Sequence, residues 1–188
     1  GRFKSVLCEK DVRIKLSAGE LMGTVGQLEW QGAFDLGAYD LRTPALDYAN
    51  PARWTTWQKH IVCPFDYFSG DVKDKLKAQL GEEVEIRDKI APRTVEPICG
   101  EIEQDEPGTA QGVWFIKGAK QESGRHLSPE LSLIHDFVNP SIGAFAFGII
   151  PADGRLSPDV LHFTPTNSGF VNRDFKDVTD DGNIYCYD

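Results

Sequence analysis

Apolar and polar side chains alternate without a break over residues 11–16, with Val12, Ile14 and Leu16 on one face and Asp11, Arg13 and Lys15 on the other. Period two predicts a half-buried strand. Ser17, Ala18 and Gly19 supply turn chemistry, and a second run over 20–30, broken by Gly23 and Gly26, completes an expected hairpin. The pattern dissolves over 31–60 into a long connection that carries Tyr39, Tyr48, Trp54 and Trp57. A connection of that length inside a compact domain serves a function or hides regular structure. The period then lengthens: Val72, Leu76 and Leu80 recur every four residues behind Ser69, with Asp71 and Asp74 near the start and Gly81 after the end. Capping side chain, acidic first turn and terminal glycine together predict one short helix over 69–81. Alternation returns over 83–87, with Val84 and Ile86 inward.

Pro107-Gly108 is the pattern of a type II turn, proline setting the first central residue and glycine taking the positive φ of the second. It predicts that residues 99–105 and 112–117 are paired strands. Val113, Trp114, Phe115 and Ile116 are apolar on both faces, as in a central strand with Trp114 in the core. Short apolar runs follow over 131–137, 143–150, 160–164 and 169–173, separated by Pro, Asn, Gly and Asp clusters, and a terminal strand over 183–187 follows Asp181-Gly182 as a hairpin. The expected fold is mostly β over 1–188. It is a single-domain barrel or two-sheet sandwich of antiparallel strands with one short α-helix.

Charge narrows the function classes. The chain of 188 residues has a formal net charge of −9 and no basic run, which argues against nucleic acid as partner. No apolar stretch approaches the roughly 20 residues of a membrane-spanning helix. A start at Gly1, with Met22 the only methionine, reads as a processed or trimmed chain. Cys8, Cys63, Cys99 and Cys186 are even in number and lack metal-ribbon spacing, so two disulfides and a secreted or periplasmic location are expected. Four buried thiols are the alternative.

On a strand, Glu101, Glu103 and Asp105 would share one face with Cys99. Packed together they would raise one another's pKa, as a general acid beside a carboxylate requires. The run Glu101-Ile102-Glu103-Gln104-Asp105 resembles the alternating acid motif of laminarinase-type glucanases, which are sandwich-fold retaining glycosidases; that family carries Glu, Asp and Glu at these places. The resemblance implies carboxylate-based glycan hydrolysis. Same-face neighbours on a strand stand about 7 Å apart, wider than the roughly 5 to 5.5 Å of a retaining pair, so a bulge or converging side chains would be required. A solvated acidic face is the plainer reading.

His60, His126, His135 and His162 show no metal-binding spacing, although adjacent strands could bring His135 and His162 to Asp136 or to the acids of the hairpin. Residues 177–188 resemble an EF-hand loop, but position twelve is Asp188 instead of glutamate, and an Asp-Gly turn accounts for the pattern. No metal or cofactor is expected. Two functions remain in view beside a purely structural one. The first is a binding domain for a small molecule, glycan or another protein, with Trp54, Trp57, Tyr39 and Tyr48 at the contact surface; the second is a hydrolase using Glu101, Glu103 and Asp105.

Overall fold

The computed structural model describes residues 11–21, 23–24, 27–28, 31–32, 36–83, 90–118, 130–147 and 159–188. The chain divides into two compact units, 1–36 and 37–188. In the first, β1 (Gln27–Leu28) pairs antiparallel with β2 (Gln31–Gly32). The expected strand at 11–16 does not form there: these residues join no ladder, and Val12 and Ile14 lie exposed. Alternation marks a strand only where a neighbouring edge and an apolar layer receive it.

The second unit is built on a four-stranded antiparallel sheet in the order β10-β9-β8-β7, from β7 (Gly112–Phe115), β8 (Glu130–His135), β9 (Gly143–Phe147) and β10 (Asp159–Phe163). Two short antiparallel ladders accompany it, β3 (Ala38–Tyr39) with β4 (Ile61–Val62) and β5 (Gly81–Glu83) with β6 (Ile90–Pro92). Among the described residues the regular structure is thus mostly antiparallel strand with one α-helix, and it is not a closed barrel: β7 and β10 do not pair with each other. Closure requires the last strand to return to the first. Among the described residues both are edges of an open sheet.

The register sorts the side chains. His135, Gly143 and Phe163 stand opposite one another on one face with Leu133, Phe145 and Leu161, while Ile134, Ala144 and His162 take the other. On the first face Phe145 meets Phe175 at 4.9 Å and Tyr187 at 4.8 Å between ring centroids, and Phe163 meets Phe175 at 5.0 Å. Gly143 makes room for this cluster, because a Cβ there would lie 2.3 Å from the Phe163 ring. On the second face Phe115 meets Trp54 edge-on at 5.8 Å, and Trp54 stacks on Tyr48 at 4.3 Å.

The helix, α1, spans Gly70–Lys77, shorter than 69–81 at both ends. Ser69 occupies the N-cap but makes no capping hydrogen bond, and Gly81 pairs with Pro92 in β5 instead of terminating the helix. Ala78 N–H donates to Asp74 O at 2.9 Å and Leu80 N–H to Lys77 O at 3.1 Å, a tightening last turn that delivers the chain to that ladder. The remainder of the strand expected over 83–87 lies outside the described residues, as do most of the loop after Gly118 and the end of the run at 143–150.

The type II turn forms as expected, with Thr109 N–H donating to Glu106 O at 3.1 Å and Gly108 at φ 84°. The strand pair it was to join does not. Residues 101–105 are irregular, and β7 pairs with β8 instead, with Trp114 opposite Leu131. That makes β7 an edge and leaves Trp114 50% exposed, its indole N–H donating to Ala110 O at 2.7 Å, so it is neither central nor core. The terminal hairpin is also absent: Cys186 forms an isolated parallel bridge with Val171. Asp181 accepts from Asn183 N–H at 2.9 Å and from the Tyr185 hydroxyl at 2.7 Å, a side-chain-closed turn that bends the chain away from a hairpin.

Cys63 and Cys99 form a disulfide, with Cα atoms 5.8 Å apart. Cys186 is an exposed free thiol, so the second bridge expected through it does not form, and Cys8 lies outside the described residues. No helix among the described residues is long and apolar enough to cross a membrane.

Candidate functional site

The disulfide walls an open cleft of about 440 Å³ whose rim carries Glu96, Glu101 and Glu103 from one segment and Asp66 and Lys77 from the other. The cystine ties these two segments together, because Cys63 immediately precedes the 3-10 turn Pro64–Tyr67 and Cys99 stands two residues before Glu101, where the acidic run begins. Asp66 is paired with Lys77 at 2.7 Å and Lys73 at 2.9 Å, both on α1, and those lysines hold its carboxyl below the usual range. Glu103 goes the other way. Burial pushes its carboxyl above the usual range, a hydrogen bond from Asp105 N–H opposes this, and the charges of Asp105, Asp47 and Glu101 add to the rise.

The three acids of the expected strand face are therefore separated. Glu101 and Glu103 border the cleft, whereas Asp105 turns to the backbone, its Oδ2 accepting from Ala49 N–H at 2.9 Å and its Oδ1 from Val113 N–H at 2.9 Å. Asp105 is a tie between the loop at Tyr48 and the start of β7. Gly112 admits it: at φ 133°, a Cβ would stand 2.6 Å from Asp105 Oδ1. Replacing Asp105 by Ala removes two charge-assisted acceptors and should cost about 2 kcal/mol of stability in urea denaturation. Wild-type stability in that variant would refute this assignment.

Burial of an ionising carboxyl has a defined sign. The folded-state pKa of Glu103 is raised, so its burial carries no charge penalty below the unfolded range near about 4.3, and the penalty grows as pH rises through the raised value. Glu103→Gln keeps an acceptor for Asp105 N–H and loses the charge. Its Tm should exceed wild type at neutral pH and converge with it in acid; a constant offset across the pH range would contradict the shift.

Gln104 was not singled out by any motif. Its side-chain amide acts as a missing strand residue beside β8, Nε2 donating to His135 O at 3.1 Å and Oε1 accepting from His135 N–H at 2.8 Å. The histidines separate too. His162 Nε2 lies 3.3 Å from Asp136 Oδ2, and His135 Nε2 lies 3.2 Å from Asp174 Oδ1 on the opposite face. Among the described residues no three His, Cys, Asp or Glu side chains gather as a metal site.

The four aromatic candidates form two pairs. Tyr48 is buried and stacked on the half-buried Trp54, whose indole N–H finds no hydrogen-bond partner. Burial, followed by the charges of Glu103 and Asp105, pushes the Tyr48 hydroxyl up to about 12. Tyr39 and Trp57 instead face solvent, 54% and 58% exposed, and meet edge-to-face at 5.9 Å. Their backbone is well anchored: Tyr39 pairs with Ile61, Asp40 N–H donates to His60 O at 2.9 Å, and Leu46 N–H donates to Lys59 O at 2.8 Å. Asp40, next in sequence to Tyr39, accepts from Arg42 Nε at 2.8 Å and Nη2 at 2.6 Å and from the Tyr67 hydroxyl at 2.5 Å. These hydrogen bonds, Arg42's first, hold its carboxyl far below the usual range.

Fold and site together define a disulfide-bonded, mostly antiparallel β protein with an acidic cleft and an anchored, solvent-facing aromatic pair. No family model, no curated protein and no solved structure matches the chain.

Proposed function

We propose that the chain is an extracytoplasmic binding domain, with Tyr39 and Trp57 as its contact surface for a ring-bearing small molecule, a glycan or an apolar segment of another protein. The observation that carries this reading is that two large aromatic rings stay more than half exposed while their backbone is tied into a ladder and two cross-segment hydrogen bonds, Asp40 N–H to His60 O and Leu46 N–H to Lys59 O. Exposed aromatic surface held in one geometry loses little conformational freedom on binding. The Cys63–Cys99 bridge supports the location, since such bonds persist in oxidising compartments. A sandwich-like arrangement is the architecture that best accommodates an open sheet with aromatic clusters on both faces.

The expected result is that Trp57→Ala loses binding across a panel of oligosaccharides and of aromatic or proline-rich peptides while its Tm stays within about 2 °C of wild type, as for other exposed positions. Retained binding in that variant would remove the platform from the contact surface.

A second reading rests on Glu103. A carboxyl held toward its neutral form in a cleft, with Glu101 on the same rim, has the attributes of a general acid in a carboxylate-dependent hydrolase. It requires that the wild type turn over a glycan substrate and that Glu103→Gln abolish this without loss of stability.

A further inference from the structure

The cystine that walls the cleft also closes an arm of the chain that is bonded mostly to itself. Between its two cysteines lie the 3-10 turn Pro64–Tyr67, α1 and the β5–β6 ladder. Within this arm Asp66 pairs with Lys73 and Lys77, Arg93 N–H donates to Leu80 O at 2.8 Å, and Arg93 Nε donates to Pro97 O at 2.9 Å. Among the described residues a single hydrogen bond carries it to the chain outside 63–100, from the Tyr67 hydroxyl to Asp40 Oδ2 at 2.5 Å, and that oxygen also accepts from Arg42 Nη2. The four strands of the main sheet, with Phe175 and Tyr187 that pack on it, all follow Cys99 in sequence. The sulfurs are within reach: Cys63 and Cys99 are half-buried and line a cleft that opens to solvent, so a small thiolate has a path to them in the folded protein. We propose that the cleft is redox-gated: a dithiol reduces the Cys63–Cys99 bridge in the native state and releases the rim of Asp66 and Lys77 from the rim of Glu101 and Glu103, while the sheet stays folded.

The exchange balances with the dithiol alone. One of its thiolates attacks a cystine sulfur, the S–S bond breaks, and the other cysteine leaves as a thiolate. The second thiolate of the reductant then attacks the mixed disulfide, frees the remaining cysteine and closes the reductant into its own disulfide. Two electrons pass to the protein, and the two protons of the dithiol end on Cys63 and Cys99. Reduction removes the covalent link between the rims and leaves the Tyr67 hydroxyl on Asp40. Tyr67 is 54% exposed, and a hydrogen bond open to water holds far less than the closure of a loop of 36 residues. The aromatic cluster of Phe145, Phe163, Phe175 and Tyr187 contains no residue of the loop, so its packing does not depend on the bridge for contacts. The gate needs neither the aromatic surface as a binding site nor Glu103 as an acid.

The test uses the full chain carrying Cys186→Ser, which removes the exposed free thiol. The protein is treated with dithiothreitol without denaturant, quenched with iodoacetamide and mapped by peptide. Alkylation at positions 63 and 99 should proceed at a rate proportional to dithiothreitol and nearly constant up to about 1 M urea, because attack on the folded state exposes little new surface. Backbone order parameters from NMR relaxation should then fall over 70–77 from roughly 0.85 to below about 0.6, while those over 131–135 and 143–147 and their chemical shifts stay in place. Reoxidation should restore the starting values. The Cys63→Ser, Cys99→Ser double variant should show the reduced pattern with no dithiol added. Three results overturn the gate and leave the bridge purely structural: reduction that climbs with urea as steeply as global unfolding does, order parameters over 70–77 unchanged on reduction, or loss of the sheet signals together with those of α1.

Discussion

Phe175→Ala should lower the free energy of unfolding by about 4 kcal/mol, the scale of a large-to-small change at a fully enclosed aromatic site. Phe175 is 1% exposed, and its ring lies within 4.9 Å, 5.0 Å and 5.2 Å of Phe145, Phe163 and Tyr187. Two of those partners belong to adjacent strands of the sheet, and the third comes from the last residues of the chain. Truncation therefore opens a cavity where the sheet and the C-terminal segment meet, and neighbouring rings cannot refill it without leaving their edge-to-face geometry. A Tm lower by roughly 10 °C is the corresponding thermal readout for a chain of this size. Loss of less than about a quarter of that cost would mean that the cluster collapses freely and is not a core.

Removing the Cys63–Cys99 bridge should cost a comparable amount. The cysteines are 36 residues apart, and the chain-entropy account assigns about 4 kcal/mol to closing a loop of that length in the unfolded state. The Cys63→Ser, Cys99→Ser double variant should unfold at correspondingly lower urea concentration, and wild type treated with reductant should shift the same way. The bridge also joins the two rims of the cleft, so its loss should relax the surroundings of Glu103 and return that carboxyl toward the ordinary glutamate range. Thiol titration in denaturant without reductant gives an independent check. Reactive thiols at positions 63 and 99, located by peptide mapping, would contradict the bridge and with it the support for an oxidising compartment.

Both effects arise from long-range contacts, which is also why their sites were poorly legible from residue patterns. Among the described cysteines Cys63 and Cys99 pair, but nothing in the spacing distinguishes them from Cys186. The acidic run was conspicuous, and its division was not: Asp105 is taken by the amides of Ala49 and Val113, the first of them 56 positions away, while Glu101 and Glu103 remain on the cleft. Gln104 carries no motif of its own and pairs with His135, 31 positions on, through both ends of its amide. Among the aromatics, composition marked all four, and only burial separated the stacked Tyr48 and Trp54 from the solvent-facing Tyr39 and Trp57.

Features governed by neighbours a few residues away could be read in advance. The type II turn at Pro107-Gly108 follows from a fixed proline φ and a glycine at positive φ, and the helix Gly70–Lys77 follows from four-residue spacing and terminal charge. The strand character of Leu131, Leu133, Phe145 and Phe163 follows from short apolar runs between turn residues. Tertiary structure alone decided that β7 lies at an edge, that the sheet stays open, and which acid, ring and thiol each meet a partner. The physical reason is that alternation specifies which side chains share a face but not which strand lies alongside. That choice is made by the whole set of distant contacts, here by the amide of Gln104, the carboxylate of Asp105 and the ring of Phe175.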